Sequence, residues 1–407
     1  MKKKVSICVP CYNGADYLER FFSSILNQTY SKLQIIFIND GSNDGTKQTA
    51  LRKQKEFVKK GMEFLYLYQE HHGQASAINT GLPYVDGEYF MWIDCDDFLE
   101  MDHVEKKVRY LEENSNVDVV MCRGNIFNEC DLLHSIGTLG EQESVGTLFE
   151  DILFSYRACS CGLYMIRTQA LFRAIPQKRI YDSQAGQNMQ LLLPVTIRNR
   201  NGYISDKLYN YVVHKSSHSH SMKGGIQWKQ RMDYLEDVKR HMLYEIPMKD
   251  TYREHLLSIL DVQMTDMRIR QIDEQIEHQN ELYVKKVCEQ YIKCAKIHQK
   301  ISGRKVYFWG ACELTSNLIK LLETYTDIKT EGIIESDLEK AGKLWNGLDI
   351  ISREEINKEK MYLIIPLNYH QELSDFLQSK EFEKEKDYFY PQYEIRRAVK
   401  DWKNDSI

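Results

Sequence analysis

Short β-branched runs alternate with helical periodicity along the first 120 residues, and polar clusters follow the strands. Val5–Pro10 reads as a strand that ends in Cys11-Tyr12-Asn13-Gly14. Leu18, Phe21, Phe22 and Ile25 then recur at helical spacing. Leu33–Ile38, Phe64–Tyr68, Tyr89–Ile93 and Val117–Cys122 read as further strands, with helices from Thr46 and over Gln74–Leu82 between them. A β-α-β-α-β order predicts a mostly parallel sheet covered by helices. Such sheets bind ligands outside the carboxyl ends of their strands. Tyr12-Asn13, Asp40 and Asp94–Asp97 all fall at those ends.

The chain has 407 residues, 43% of them hydrophobic, which allows two or three domains with real cores. Its 54 Lys+Arg against 59 Asp+Glu leave a net charge of -5. That excludes a nucleic-acid binder acting through a global basic field. No apolar run approaches the ~20 residues of a spanning helix, and Lys2-Lys3-Lys4 lead straight into a strand rather than a leader. These features predict a cytoplasmic protein with reduced cysteines. Cys8/Cys11 and Cys159/Cys161 lack a second pair at zinc-ribbon spacing, so they predict neither a metal nor a redox centre.

Three segments follow from the pattern. Residues 1–225 form the first α/β domain. Residues 226–300 nearly lack glycine and proline, and stripes such as Trp228, Met232, Leu235, Val238 and Met242 predict a helical connector. Residues 301–407 resume an α/β pattern with strands at Lys305–Trp309, Thr330–Ile334 and Met361–Pro366. Gly310 sits where a dinucleotide fingerprint would begin, but Cys312 and Thr315 stand at its other two glycine places. The added bulk opposes pyrophosphate approach, so this unit reads as Rossmann-like and used for packing, acceptor selection or homo-oligomer assembly.

Asp94-Cys95-Asp96-Asp97 carries three carboxylates in four residues. Like charges so close need a cation or donors, and hard oxygens at a strand end suit Mg²⁺ or Mn²⁺ bound to a diphosphate. Asp40 suits a hydrogen bond to a base or a ribose hydroxyl, although Asn-Asp-Gly-Ser is also turn chemistry. Tyr12 offers a ring for stacking a base. Convergence on one sheet edge favours binding over turns alone.

The ordered segments Val5–Gly14, Ser24–Tyr30, Ile38–Thr46, Gly73–Gly81 and Gly87–Asp97 resemble family-2 glycosyltransferases of the GT-A fold. The resemblance is strong to about residue 125 and weaker to about residue 220. It implies a UDP-sugar donor, a divalent metal and a mixed Rossmann-like sheet. Pro10, Tyr12 and Asn13 would line the nucleoside pocket, with Asn79 also on the donor side. Asp40 would take the base and Asp94 the ribose or donor sugar. Asp96, with Asp97 close by, would hold the metal. His214, His218 and His220 fall where relatives fold a basic tail over the donor, so His214 joins the metal set. His71-His72 read as loop residues. Ile78 stands where many relatives have Arg or Lys, and Cys95 replaces a common Ser.

The catalytic base departs most from the family. Relatives supply it from a Glu-Asp pair opening a helix, whereas the matching register here has Gln187-Asn188. An amide cannot act as a base at neutral pH. Asp182 is the alternative, with Gln187 and Asn188 positioning the acceptor. The resemblance thus implies inverting transfer of a hexose or N-acetylhexosamine to a surface polysaccharide or lipid-linked glycan. A lipid-linked acceptor would bring the protein to the membrane's inner face. A non-catalytic sugar-nucleotide binder or scaffold stays open, as does a nucleotidyltransferase, whose basic glycine-rich N-terminal loop is absent.

Overall fold

The computed structural model describes residues 2–140, 147–155, 157, 159–214, 225–272, 280–301, 303–368, 370–383 and 386–391. The described chain divides into two compact units.

The first unit is built on strands β1 (Val5–Cys11), β2 (Leu33–Asp40), β3 (Glu63–Gln69) and β4 (Tyr89–Trp92). They pair in parallel in the order β3-β2-β1-β4. Helices α1 (Ala15–Leu26), α2 (Thr46–Lys59) and α3 (Gln74–Gly81) make the crossovers. Every residue of β1 and β2 is buried, as expected for strands covered on both faces. Leu18, Phe21, Phe22 and Ile25 of α1 are buried along one stripe. Phe22 packs on Phe37, Phe57 and Phe64 with ring centroids 5.6, 5.6 and 5.7 Å away. Each such ring contributes about 1.5–3 kcal/mol on burial.

Beyond β4 the sheet is mixed. The chain continues through β5 (Phe98–Leu99), α4 (His103–Glu113), β6 (Val119–Asn128), β7 (Gly137–Leu139), α5 (Leu148–Leu153) and β8 (Tyr164–Arg167). It then forms α6 (Thr168–Ala174), α7 (Gln187–Thr196) and β9 (Asn201–Val213). The full order is β3-β2-β1-β4-β8-β6-β9-β5, with β7 on β6. The expected fifth strand is therefore not β4's parallel neighbour. Strand β8 lies between them, antiparallel to both. The 13-residue β9 lacks a clean alternation because exposed Ser205-Asp206-Lys207 interrupts it. Its register against β6 shifts on either side of Arg123, which absorbs that interruption.

Helix α8 (Gly225–Glu245) does not belong to a free-standing connector. Residues Asp233–Met248 join the first unit, and the chain from Lys249 joins the second. The physical reason lies in specific packing. A Cβ at Gly186 would lie 2.9 Å from Val238 Cγ1. Tyr181 stacks on His241 with centroids 4.2 Å apart.

The second unit contains α9 (Asp250–Ile269), α10 (Glu281–Ala295), β10 (Lys305–Trp309), α11 (Glu313–Tyr325) and β11 (Thr330–Glu335). It continues through β12 (Leu344–Trp345), β13 (Leu348–Ser352), β14 (Met361–Ile364), α12 (Gln371–Ser379) and β15 (Tyr388–Phe389). Its sheet runs β12-β13-β11-β10-β14-β15, parallel except for the β12–β13 hairpin. At the degenerate fingerprint, the Ala311 N–H donates to Glu335 Oε2 at 3.1 Å. The Leu367 side chain lies 3.0 Å from where a Gly310 Cβ would stand. The chain's own groups thus fill the space that a pyrophosphate would need.

Candidate active site

The four parallel strands deliver their carboxyl ends to one edge. At β1, Pro10 is buried within the strand, and Tyr12 and Asn13 are exposed beyond it. The Asn13 N–H donates to Ser42 Oγ at 2.9 Å, and Asn13 Oδ1 accepts from the Asn43 N–H at 3.0 Å. The β1 and β2 loops are therefore cross-tied.

Asp40 ends β2 and is 3% exposed. Its Oδ1 accepts from Gln69 Nε2 at 2.7 Å and the His72 N–H at 3.0 Å. Its Oδ2 accepts from His71 Nδ1 at 2.9 Å and the Gly73 N–H at 3.0 Å. A carboxylate offers about four acceptor sites, and here four are filled. Gly41 has φ +71, and a Cβ there would lie 2.6 Å from His71 N. The backbone approach of the 71–73 loop therefore requires glycine. The His71 ring stacks on Tyr12 with centroids 3.8 Å apart and planes at 20°.

The acidic stretch forms a turn between β4 and β5. Its carboxylates have different roles. Asp97 is fully buried; its Oδ1 accepts from the Val212 N–H at 2.8 Å and its Oδ2 from the Tyr209 hydroxyl. Burial holds its carboxyl well above the usual range. Asp97 thus ties the turn to β9 through both of its oxygens.

Asp94 Oδ1 accepts from Gln74 Nε2 at 2.8 Å, and its Oδ2 from the Cys161 thiol at 3.3 Å. Burial, then the charge of Asp96, pushes its carboxyl up to about 7. Asp96 Oδ2 accepts from His214 Nε2 at 2.7 Å, while Arg20 Nη2 donates to the Asp96 carbonyl. The charge conflict between Asp94 and Asp96, with an imidazole already at the second carboxylate, fits a divalent cation. The Asp94–Asp97–Cys161 cluster fits one less well, although one ligand atom of each lies within 4.8 Å of the others. Burial raises the Cys161 thiol well above its ordinary value, which keeps it protonated and a donor.

Strand β9 brings in the partners that sequence spacing could not connect. Phe98 and Leu99 pair with Asn210 and Tyr209, so Tyr209, Val212 and His214 return to the acidic turn. A Cβ at Gly162 would stand 2.1 Å from Tyr209 Cδ2, so only glycine leaves room for that ring. Below it, buried Lys107 Nζ donates to the Gly162 carbonyl at 2.8 Å and to His103 Nε2 at 3.1 Å. His103 Nδ1 donates to the Leu208 carbonyl at 2.8 Å. Burial holds the His103 pKa well below its ordinary value, consistent with a neutral ring.

Asn79 is engaged on both sides of its amide. Its Nδ2 donates to the Ile180 carbonyl at 3.0 Å and its Oδ1 accepts from the Ile180 N–H at 2.8 Å. Both amide groups therefore anchor the 180–186 loop. Ile78 is fully buried, so that place on α3 faces the core, where a cation would be costly. Arg20 supplies a cation at the acidic turn from α1 instead.

At the expected base, Asn188 Oδ1 accepts from the Tyr164 hydroxyl at 2.9 Å, and that hydroxyl accepts from Trp92 Nε1 at 2.5 Å. Gln187 Nε2 donates to the Ser183 carbonyl at 3.0 Å. Asp182 is exposed. His218 and His220 lie outside the described residues. The sequence alone assigns no site role to Gln74, Arg20, Cys161 or Tyr209. Gln74 alone had a signal there, as a polar residue opening a helix at the ligand edge.

All ten cysteines are free. Among the described residues no helix is long and apolar enough to cross a membrane.

The comparisons agree on the first unit. The glycosyl transferase family 2 model matches residues 6–167. Glycosyltransferase GlyA of Streptococcus pneumoniae is 30% identical over 226 residues, covering 53% of this chain and 31% of GlyA. An uncharacterized glycosyltransferase of Haemophilus influenzae is 32% identical over 161 residues, covering 39% of this chain and 47% of that one. The chain spans about a third to a half of the length of these curated relatives. S. aureus TarS 1–349, solved in complex with UDP-GlcNAc, superposes with a TM-score of 0.55 at 15% identity. That match covers 80% of this chain and 90% of TarS 1–349, and at such identity it speaks for the fold. With its mixed sheet and its acidic turn after β4, the N-terminal unit has the GT-A fold and belongs to glycosyl transferase family 2.

Proposed function

We propose that this protein is a metal-dependent, inverting glycosyltransferase. It moves a hexose or N-acetylhexosamine from a UDP-sugar to a hydroxyl of a surface polysaccharide or lipid-linked glycan. The observation that carries the reading is the convergence of Tyr12, Asp40, Asp94 and Asp96 on one sheet edge, with His214 2.7 Å from Asp96.

Each residue has a role on this reading. Tyr12 stacks the base and Asp40 accepts its N–H, with Pro10 and Asn13 shaping the pocket. Asp94 accepts from a ribose or donor-sugar hydroxyl. Asp96 and His214 would hold Mn²⁺ or Mg²⁺, which would supply positive charge to the leaving diphosphate. Arg20 offsets the charge of the acidic turn. Asp182 takes the acceptor proton as its oxygen attacks the anomeric carbon. Gln187 and Asn188 orient the acceptor, since Asn188 keeps its NH₂ as a donor while its oxygen is engaged.

The test is a scan of UDP-sugars with Mn²⁺ and glycan acceptor pools, following UDP release, with Asp96→Ala as control. Turnover lost in that variant supports the reading; pyrophosphate release instead would point to nucleotidyl transfer. The Gln187-Asn188 amides favour a second reading, a sugar-nucleotide binder without turnover. It predicts UDP binding in calorimetry and no product on any acceptor.

A further inference from the structure

His71 makes the same two contacts that the proposed reading gives to a nucleobase. Its ring lies on Tyr12 at 3.8 Å with a 20° tilt, which is face-to-face stacking. Its Nδ1 donates to Asp40 Oδ2 at 2.9 Å. A flat heteroaromatic ring with an edge N–H, stacked on Tyr12 and bonded to Asp40, would need both positions. The two cannot hold them together, because a ring 3.8 Å from Tyr12 leaves no gap for a second ring on that face.

The other donors to Asp40 are harder to move. Two are the backbone N–H groups of His72 and Gly73, which follow the His71 backbone packed on Gly41. The third, Gln69, also donates from Nε2 to Ser76 Oγ at 3.2 Å and accepts at Oε1 from the Thr80 hydroxyl at 2.5 Å. His71 is the exception. Its side chain is 51% exposed, and its backbone can stay in place while the ring rotates.

We propose that the His71 imidazole occupies the nucleobase position of the free protein and is displaced by the incoming base. The inference rests on the reading of this edge as a nucleotide-sugar site. It makes His71 a residue that sets nucleotide affinity by competition. Only molecules whose His71 ring has swung out can bind, so the apparent affinity falls by the fraction that is open. Phosphate or sugar alone, which do not use this position, gain nothing from opening it.

The experiment uses the full chain with Mg²⁺ and UDP as the probe. Calorimetry compares wild type, His71→Ala and His71→Phe. A ring that covers the position about nine-tenths of the time weakens binding about tenfold. His71→Ala is therefore expected to bind UDP about tenfold more tightly. His71→Phe keeps a stacking ring but loses the bond to Asp40, so it should fall between. In a second measurement, the His71 ring protons of the wild type are followed by NMR. Tyr12 shields them in the free protein, and they should move toward unstacked positions as UDP is added. An unchanged or weaker affinity in His71→Ala overturns the inference, as do ring signals that stay put at saturation. Wild-type UDP binding separates the two failures. If wild type binds and the variant shows no gain, only displacement falls. If no form binds UDP, the nucleotide-sugar reading falls and takes displacement with it.

Discussion

The His214 imidazole donates to the Asp96 carboxylate at 2.7 Å, joining the end of β9 to the turn after β4 across 118 residues of sequence. The pair lies where the metal of the proposed reaction would bind. His214→Ala is expected to weaken Mn²⁺ affinity or turnover by about 10–100-fold, the usual cost of removing a group that orients a metal site. Asp96→Ala should cost more. Mn²⁺ titration of UDP release measures both. Wild-type turnover in His214→Ala would show that the imidazole plays no part.

Tyr209 and Asp97 should matter to stability before activity. Tyr209→Phe removes the hydroxyl donor to a buried carboxyl and leaves Asp97 Oδ2 short of a partner. The expected loss is about 1–3 kcal/mol in urea unfolding. Gly162→Ala should cost a similar amount, about 1–3 kcal/mol, because its methyl would collide with the Tyr209 ring. A fully stable Gly162→Ala would mean that the ring has room to move.

Lys239 on α8 is fully buried, and desolvation lowers its pKa to about 7. The ordinary lysine value is 10.5, so between these values the unfolded chain binds a proton that the folded chain does not. This group's contribution therefore makes the fold more stable as pH rises from about 7 to 10.5. Below about 7 the lysine is charged in both states and the burial cost is at its full value. Lys239→Met should remove that slope. The check is the difference in urea stability between wild type and variant at several pH values. It should favour the variant most below pH 7, and a difference independent of pH would refute the assignment.

Asp182 and Asn188 divide the question of the base. Asp182→Asn is expected to lower the UDP release rate by about 10²–10⁴-fold if its carboxylate takes the acceptor proton. UDP affinity should stay near wild type, because Asp182 lies on the acceptor side of the proposal. Asn188→Ala should raise the KM for acceptor more than it lowers kcat. Undiminished turnover in Asp182→Asn would remove it from the chemistry.

Much of the first unit is legible without coordinates. The runs at Val5, Leu33 and Phe64 and the Leu18–Ile25 stripe are local signals with the right periods, and they correspond to β1, β2, β3 and α1. Local order also places Tyr12, Asp40 and Asp94–Asp97 at strand ends, because a parallel strand that enters a crossover must leave its polar turn at one edge. Strand β9 was not legible in this way, since Ser205-Asp206-Lys207 breaks its alternation. The helical stretch after 226 shows its own periodicity but not the partner that covers it.

What the sequence determined by itself is the set of groups at the ligand edge, because their types and spacing are local. Tertiary structure alone decided their roles. It withdraws Asp97 into hydrogen bonds with Tyr209 and Val212, and Asn79 into bonds with Ile180. It lays His71 on Tyr12 and against Asp40. The physical reason is the same in each case. A carboxylate, amide or imidazole serves a ligand only with the positions its own protein leaves open. Burial and long-range pairing, above all the return of β9 to the acidic turn, set which positions those are.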